Sequence, residues 1–380
     1  MFENEEHDLI RKTVRDFAER EIKPRAKELD ENSQFSYELT AMMGELGLFG
    51  MYLPEKYGGQ HLDTLSYIIA VEEIARIDSS QAATLAAHNS LGIGPLYYYG
   101  TEEQKMKYLP QLCTGKALWA FGLTEPEAGS DSRGTKTKAF IENGEWVIDG
   151  SKIFITNAAS DISIGCTTQV VTDINKDGEK KFTTIIVEKG TPGYKTVPMH
   201  GKMMWRASDT AEIYFDNCRV PQSNLLGQIG HGSKIMLSTL DNGRLSIASM
   251  GLGLAQGAFE LALKYSQERK QFGKPLCKFQ INAFKLADMA TKIELARNLL
   301  YKACWLKDNK KPFAKEAAMS KLYCSEIAKQ VADEAVQIHG GYGLMKDYDI
   351  ERFYRDQRLL QIGEGTSEIQ RLVISRYIGC

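Results

Sequence analysis

The sequence lacks the features that mark several large classes of protein. It has no excess of basic charge, since 47 Lys and Arg residues are balanced by 49 Asp and Glu residues among 380. A nucleic-acid partner therefore has no electrostatic footprint, and none is expected. No run of about 18 apolar residues was found, so no membrane span is expected. The first residues are acidic and then helical in pattern, which does not fit a signal peptide.

Cysteine and histidine are also sparse. The seven cysteines are odd in number and scattered, without a C-x-x-C pair. This usage is typical of reduced thiols, so we expect a cytoplasmic location. The six histidines show no metal-ligand spacing, and no metal site is expected. The chain contains neither a G-x-G-x-x-G nor a P-loop motif, so it gives no signal of a Rossmann or P-loop nucleotide site.

Three regions differ in their hydrophobic periodicity. Residues 1–117 favour helices. Residues 118–225 contain short runs rich in β-branched and aromatic residues, punctuated by Gly, Asn, Asp and Pro, which predicts an antiparallel β domain built as a compact barrel or sandwich. Residues 226–380 return to long helical patterns, which predict a four-helix bundle. We therefore expect a mostly helical α+β chain of three domains, with a cleft between them that suits a flat cofactor.

Within the first region, one segment illustrates the helical prediction. In DLIRKTVRDFAEREI, the apolar residues Leu9, Val14, Phe17 and Ala18 are expected on one buried stripe. Core packing is the expected role of these side chains.

The segment FGLTEPEAGSD, residues 121–131, is the first with a chemical pattern. It holds hydroxyls at Thr124 and Ser130, a glycine that leaves the backbone accessible, and Pro126, which stiffens the bend. Such a loop can donate hydrogen bonds to the edge of a heterocycle. A plain β-turn would fit the same residues.

Five segments together carry a resemblance to a known family. They are FGLTEPEAGSD, KIFITNA, ERKQFGKPL, QIHGGYG and GEGTSEIQR. In this order and spacing, they resemble the acyl-CoA dehydrogenases, flavin enzymes with a helical–β–helical fold. The similarity runs from the first helix to the C-terminus. Each segment alone is a weak signal, whereas the combination is specific.

The resemblance implies a bound FAD. It assigns to this cofactor Phe121, Leu123, Thr124, Ser130, Phe154, Thr156, Arg269, Phe272, Gln280, Gln337, Gly340, Gly341, Thr366 and Glu368. Phe154 would pack on the flavin face at a position that is often Trp, although as one residue of an apolar strand it could also be core. Arg269 would pair with the cofactor diphosphate across a subunit interface, which implies a homotetramer, a dimer of dimers. Gly340 and Gly341 also suit a simple helix C-cap.

The same resemblance identifies Glu364 as the catalytic base. It would remove the C2 proton of an acyl thioester while the C3 hydride goes to the flavin. Its backbone N–H would polarise the thioester carbonyl, and Gly365 would let the substrate approach the main chain. We expect burial to raise the pKa of Glu364.

Substrate-binding roles follow for further residues. Ser130, Asp241, Arg244 and Gly365 would contact the acyl-CoA, although Asp241 and Arg244 could instead be a helix-surface ion pair. No metal is expected to take part.

Three small residues refine the expected substrate. Gly363 replaces a tyrosine common in straight-chain members and leaves room beside C2–C3. Branched-acyl members take their base from another helix, at a position that is Gly243 here, so Glu364 has no rival. Ala82 stands where glutaryl-CoA enzymes carry an arginine, which disfavours a dicarboxyl substrate. Met204 replaces a glycine of the family pattern, and its effect stays open.

The sequence thus predicts an FAD-dependent dehydrogenase of a short-chain, modestly branched or alicyclic acyl-CoA. Its electrons would pass to electron-transfer flavoprotein. An acyl-CoA oxidase and a non-oxidative lyase on the same scaffold are the alternative enzymes. A non-enzymatic helical scaffold would not need Glu364, Arg269 and Thr124 together.

Overall fold

The computed structural model describes residues 2–380, and its N-terminal region is helical. The α-helices before the first strand are α1 (Glu5–Phe17), α2 (Lys23–Asn32), α3 (Tyr37–Glu45), α4 (Thr64–Ala75), α5 (Ser79–Ala87), α6 (Gly94–Tyr99) and α7 (Glu102–Leu112). Polar side chains accept the free backbone N–H groups at several N-termini. These N-caps are Asn4, Ser36, Asp63, Asp78 and Thr101.

The predicted stripe of α1 is wrong at Leu9. Its side chain is 65% exposed, whereas Val14 and Ala18 are buried. Leu9 and Val14 lie five residues apart, which is about 140° around a helix, so the two cannot share one face. The prediction of a helix is therefore confirmed, but Leu9 does not belong to its buried stripe.

A single sheet of eight strands follows. Its strands are β1 (Leu118–Gly122), β2 (Lys138–Glu142), β3 (Glu145–Thr156), β4 (Ser163–Ile174), β5 (Lys180–Glu188), β6 (Tyr194–Pro198), β7 (Thr210–Pro221) and β8 (Leu225–Leu226). The order is β6-β7-β3-β2-β4-β5-β8, with β1 beside β4. Most pairs are antiparallel, but β4 runs parallel to both β1 and β2. The expected antiparallel domain is thus a mixed sheet whose path ends at β6 and β8.

The C-terminal region contains three long helices and two shorter ones. They are α8 (Gly232–Glu268), α9 (Gln280–Asp308), α10 (Ala314–His339), α11 (Ile350–Leu360) and α12 (Ser367–Tyr377), with a hairpin of β9 (Lys270–Gln271) and β10 (Lys274–Pro275) after α8. Helices α8, α9 and α10 pack on one another, and α11 packs on α8 and α10 as the fourth helix. Helix α12 lies on α10.

Helix α8 is the central element of the molecule. It contacts α4 and α5 of the N-terminal region and α9, α10 and α11 of the C-terminal region. By length and composition it could cross a membrane, contrary to the expectation that no segment is apolar enough, but 78% of its apolar window is buried. Burial inside the protein accounts for this composition, because a core helix is apolar on all sides.

Buried ion pairs join the two helical regions. The Arg352 guanidinium lies 2.6 Å from the Asp78 carboxylate, and both side chains are almost fully buried. Glu72 receives Arg297 at 3.1 Å and the Tyr301 hydroxyl at 2.6 Å. These contacts hold α4 and α5 against the C-terminal helices, which positions the walls of the site described next.

Candidate active site

The predicted base lies in a strained turn between α11 and α12. Glu364 has φ +53° and Gly365 has φ +95°. A left-handed conformation is uncommon for a residue with a side chain, and such strain is concentrated at functional sites. Thr366 ends the turn as the N-cap of α12, where its hydroxyl accepts the N–H of Ile369. Glu368 lies exposed in the first turn of α12.

The Glu364 carboxylate has an unusual environment. Glu364 as a whole is half-buried, but its Oε2 is shielded from solvent and has no hydrogen-bond partner among residues 2–380. Burial raises the pKa of Glu364 to about 7, although the positive charges of Lys321 and Arg244 oppose the shift. A carboxyl group with this pKa can take up a proton near neutral pH.

Gly243 makes the space for this carboxylate. A Cβ atom at position 243 would lie 1.7 Å from Oε2 of Glu364 and 3.1 Å from Cδ2 of Leu91. The two positions that carry the base in different branches of the resembled family are thus in contact here. Because Gly243 has no side chain, it leaves Glu364 as the acid at this point.

Two polar side chains hold the turn from behind. Gln370 Nε2 donates to the carbonyl oxygens of Glu364 at 3.2 Å and of Gly365 at 2.9 Å. Lys321 Nζ donates to the Gly365 carbonyl at 2.7 Å. The Glu364 N–H itself donates to no acceptor within the described residues. This free donor is available to a ligand carbonyl.

Asp241 and Arg244 lie one helical turn apart on α8 and form an ion pair. The surface-pair alternative is wrong, because the Arg244 side chain is only 7% exposed. Its Nε has no partner among residues 2–380. A buried guanidinium with a free N–H suits a polar or phosphate-bearing ligand.

The loop after β1 lies against β3. The Ile153 N–H donates to the Thr124 carbonyl at 2.9 Å, which joins the two predicted flavin segments. Phe154 is 63% exposed at φ +61°, so the core alternative is wrong. The hydroxyls of Thr124 and Thr156 donate to nothing within residues 2–380. An exposed aromatic ring beside free hydroxyl donors is therefore presented at this surface.

A buried ion pair anchors this loop. Lys152 Nζ lies 2.7 Å from Glu125 Oε1 and 3.3 Å from the Leu123 carbonyl. Glu125 also accepts hydrogen bonds from the N–H and hydroxyl of Thr137. A short Glu125–Ala128 bridge does form, as expected of a plain β-turn. The loop also has these buried contacts, which a plain β-turn does not require. Phe121 is buried on β1, and Ser130 is exposed farther along the loop.

The remaining predicted cofactor residues form a separate group at the end of the C-terminal helices. A shallow cleft of about 490 Å³ is lined by Arg269, Gly340, Gly341 and Tyr342, with others from the same region. The Arg269 guanidinium lies 5.7 Å from the Tyr342 ring centre and makes no ion pair within the described residues. Phe272 is 94% exposed. Gln280 and Gln337 are exposed on α9 and α10.

The residues of this chain fit a flat cofactor that also carries phosphate. Phe154 offers a stacking face, and Thr124 and Thr156 offer hydrogen bonds to a ring edge. Arg269 offers a fork of donors for a diphosphate. The cleft that holds Arg269 takes none of its lining from residues 121–156.

Comparison with family profiles identifies all three regions. The acyl-CoA dehydrogenase N-terminal domain matches residues 4–116, the middle domain matches residues 120–218 and the C-terminal domain matches residues 230–379. The chain belongs to the acyl-CoA dehydrogenase family. It is therefore an FAD-dependent flavoenzyme of the acyl-CoA dehydrogenase class.

Curated relatives agree over the whole chain. An acyl-CoA dehydrogenase of Bacillus subtilis (strain 168) is 46% identical over 379 residues, 100% of this chain and 99% of the relative. A short-chain specific acyl-CoA dehydrogenase of Clostridium acetobutylicum is 45% identical over 370 residues, 97% of each chain.

Solved structures give the same result. Butyryl-CoA dehydrogenase of Megasphaera elsdenii has a TM-score of 0.95 at 43% identity, over 99% of this chain and 98% of that one. A structure described as the electron transferring flavoprotein of Acidaminococcus fermentans has a TM-score of 0.96 at 43% identity, over 99% and 98%. A Bacillus anthracis acyl-CoA dehydrogenase complexed with FAD has a TM-score of 0.92 at 36% identity, over 99% and 67%.

Sequence reasoning missed the residues that support the two site loops. These are Glu125, Lys152, Lys321 and Gln370. A signal was present for Lys321, which follows the buried Ala317 and Ala318 and precedes the buried Cys324 at helical spacing. A lysine on a buried stripe is rare unless it has a partner.

Proposed function

We propose that this acyl-CoA dehydrogenase oxidises a short-chain, modestly branched or alicyclic acyl-CoA to the 2-enoyl-CoA, with Glu364 as the base. The observation that carries this proposal is the Glu364 carboxylate, whose Oε2 is buried and unpartnered beside Gly243. A structural carboxylate would be paired, because burying an unpaired one is costly. A carboxylate that acts as a base needs such an oxygen, free of other hydrogen bonds, to accept the proton.

The chemistry divides between the chain and its cofactor. FAD, which residues such as Thr124, Phe154 and Arg269 would hold, would supply the acceptor for the C3 hydride. Glu364 takes the C2 proton, and the electron pair of the broken C2–H bond becomes the second bond between C2 and C3. The raised pKa of Glu364 makes its carboxylate a stronger base than an exposed one.

The free N–H of Glu364 supports the second part of the proposal. A thioester carbonyl that accepts this N–H is polarised, which acidifies the neighbouring C2–H. The N–H and the carboxylate belong to the same residue of the left-handed turn. Gly365 leaves the approach clear because it has no side chain.

The cofactor would be held by the residues that the structure groups in two places. Leu123, Thr124, Phe154 and Thr156 would bind the ring system, and Thr366 and Glu368 would continue along it. Arg269, Phe272, Gln280, Gln337, Gly340 and Gly341 would bind the phosphate and adenosine half. Because the cleft that holds Arg269 takes none of its lining from residues 121–156, we propose that each site combines the two groups from two subunits of a homotetramer.

Several residues of the chain bear on the choice of substrate. Ser130, Asp241 and Arg244 would contact the CoA portion, and Gly365 the thioester. A Cβ at Gly363 would lie 3.0 Å from the flexible Leu359 side chain and 3.6 Å from the Leu359 carbonyl oxygen, so the absence of a side chain here leaves room that a branch of the acyl group would use. Ala82 is fully buried and uncharged, which gives no partner to a second carboxylate. Met204 packs against the core, and its effect on specificity has no structural explanation.

The electron acceptor is proposed to be electron-transfer flavoprotein. The support is the similarity to the Acidaminococcus fermentans structure described above. An oxidase on the same fold would instead reduce oxygen, so hydrogen peroxide formation in air distinguishes the two. A cytoplasmic location stays a prediction.

The test is an anaerobic visible spectrum of the purified holoenzyme before and after separate additions of butyryl-CoA, isobutyryl-CoA and octanoyl-CoA. We expect butyryl-CoA to bleach the flavin. Glu364→Gln should keep the flavin spectrum but bleach about 10²- to 10⁴-fold more slowly, as for the loss of a general base. Wild-type bleaching rates in Glu364→Gln would refute the assignment of the base.

A further inference from the structure

Lys321 is a fully buried lysine directly behind the turn that carries Glu364. It lies on α10, and none of its side chain is exposed. Its Nζ donates to the Gly365 carbonyl at 2.7 Å. No carboxylate of residues 2–380 lies within 4.0 Å of that nitrogen, since Lys321 takes part in no ion pair. The ammonium group therefore has a backbone carbonyl, and not an acid, as its partner.

Such an arrangement costs free energy of folding, so its presence indicates that the charge has a function. A buried ammonium normally has a carboxylate beside it, because a carbonyl dipole replaces only part of its hydration. Gln370 already donates to the same Gly365 carbonyl at 2.9 Å, so a neutral partner was available. Hydrogen bonding of the Gly365 carbonyl therefore does not by itself explain why the second donor is a charged lysine.

The contact acts on the geometry of Glu364. Two donors from α10 and α12 converge on the Gly365 carbonyl and fix the peptide plane between Gly365 and Thr366. Gln370 also donates to the Glu364 carbonyl, so the peptide planes on both sides of Gly365 are held next to the left-handed Glu364. A turn held from behind by two elements resists relaxation to the more common right-handed conformation.

The contact also places charge near Glu364. From α10 the Lys321 charge, and from α8 the Arg244 charge, lower the pKa of Glu364 against the larger effect of burial. On α4, burial raises the pKa of the Tyr67 hydroxyl, and the Glu364 charge raises it further. Glu326 on α10 and Glu368 on α12 act on Lys321, whose own pKa is lowered to about 8, chiefly by burial.

We propose that Lys321 is a positioning residue of the dehydrogenase, which holds the Glu364–Gly365 turn in its left-handed conformation and favours the ionised form of the base. The proposal rests on the role of Glu364 proposed above. It assigns two separable effects to one ammonium group, a hydrogen bond and a charge. Lys321 touches neither the reacting atoms nor the thioester.

The experiment compares Lys321→Met, which removes both effects, with Lys321→Gln, which keeps a neutral N–H donor. Lys329→Met, an exposed lysine of the same helix, is the matched control. All are purified as holoenzymes, and kcat, KM and flavin content are measured with butyryl-CoA from pH 5.5 to 9. Lys321→Gln also serves if Lys321→Met does not fold.

We expect Lys321→Met to lower kcat about ten- to a hundredfold with little change in KM, because the base is misplaced. The acidic limb of kcat/KM should move up by about one pH unit, because a positive charge near the carboxylate is lost. Lys321→Gln should recover part of kcat but keep the shifted limb. Lys329→Met should match the wild type.

An unchanged acidic limb in the folded Lys321 variants would overturn the proposal and leave Lys321 as a structural residue. Loss of flavin or of thermal stability with a wild-type pH profile would do the same. Failure of the proposed function looks different, because Glu364→Gln in the same assay would then keep its activity.

Discussion

Two buried lysines of this molecule have opposite partners. Lys152 on β3 lies 2.7 Å from the Glu125 carboxylate, which accepts further hydrogen bonds from Thr137. Lys321 on α10 bonds only a backbone carbonyl, beside a Glu364 whose Oε2 has no partner among residues 2–380. In the first pair, the two opposite charges neutralise each other and hold a loop in place. At the second site, a carboxylate oxygen has no hydrogen-bond partner, so it is free to accept a proton from a substrate.

The pKa values of the two acids show the same difference. Burial would raise the pKa of Glu125, but the Lys152 charge and the hydrogen bonds bring it below its ordinary value. Burial raises the pKa of Glu364 to about 7, because Lys321 and Arg244 only partly offset it. A buried carboxylate thus acts as a structural anion or as a base according to how completely it is paired.

The largest expected effect concerns the stability of the paired site. Glu125→Gln leaves the buried Lys152 ammonium without a charged partner and should cost about 3–5 kcal/mol of unfolding free energy. Glu364→Gln removes an unpartnered carboxylate and should not lower stability. Thermal unfolding of both variants with bound flavin gives the comparison. Equal losses in the two would contradict the distinction.

Gly243→Ala tests whether the base needs its empty neighbour. The new Cβ would displace the end of the Glu364 side chain, so we expect kcat to fall about tenfold or more while the melting temperature holds. Gly253→Ala on the same helix is the control. Its Cβ would lie 2.2 Å from the Glu72 carbonyl, a backbone atom, so stability should fall instead. The reverse pattern would show that Oε2 has room to move.

The two carboxylates should affect stability in opposite directions as the pH changes. The raised pKa of Glu364 contributes to the free energy of unfolding. This contribution is fully present below about pH 4.5 and is lost as the pH rises through about 7. The lowered pKa of Glu125 gives a contribution that is full above about 4.5 and is lost as the pH falls through its lowered value. Unfolding of the wild type and of Glu364→Gln from pH 4.5 to 8 should differ in slope, and parallel curves would exclude this contribution.

The smallest effect concerns the open side of the turn. Gly363→Tyr should reduce turnover of isobutyryl-CoA several-fold more than that of butyryl-CoA, because the ring fills the space beside C2–C3. The Leu359 side chain can shift to admit it. Steady-state kcat/KM for both thioesters is the measurement, and equal reductions would remove the steric argument.

The sequence was sufficient for the fold and the family, because five motifs and three changes of periodicity all agreed. It also singled out Glu364, whose catalytic role stays a prediction. Pattern alone placed Leu9 on the wrong face, because an apolar residue does not have to be buried. It also left Phe154 undecided, since only the backbone shows that φ is +61° and that the ring points outward.

The supporting residues could not be predicted because their partners are distant in the chain. Lys321 and Gly365 are 44 residues apart, and Lys152 and Glu125 are 27 apart. Neither pair belongs to a local motif. Only folding brings a lysine of α10 to the turn before α12, so the strength of the base is a tertiary property.

The most direct test of the account is the pH dependence of kcat/KM for butyryl-CoA in the wild-type holoenzyme. We predict an acidic limb with half-maximal activity near pH 7, because Glu364 must lose its proton before it can act as the base. Activity that stays constant down to about pH 5 would show an ordinary carboxylate, and the claim that incomplete pairing tunes Glu364 would be wrong.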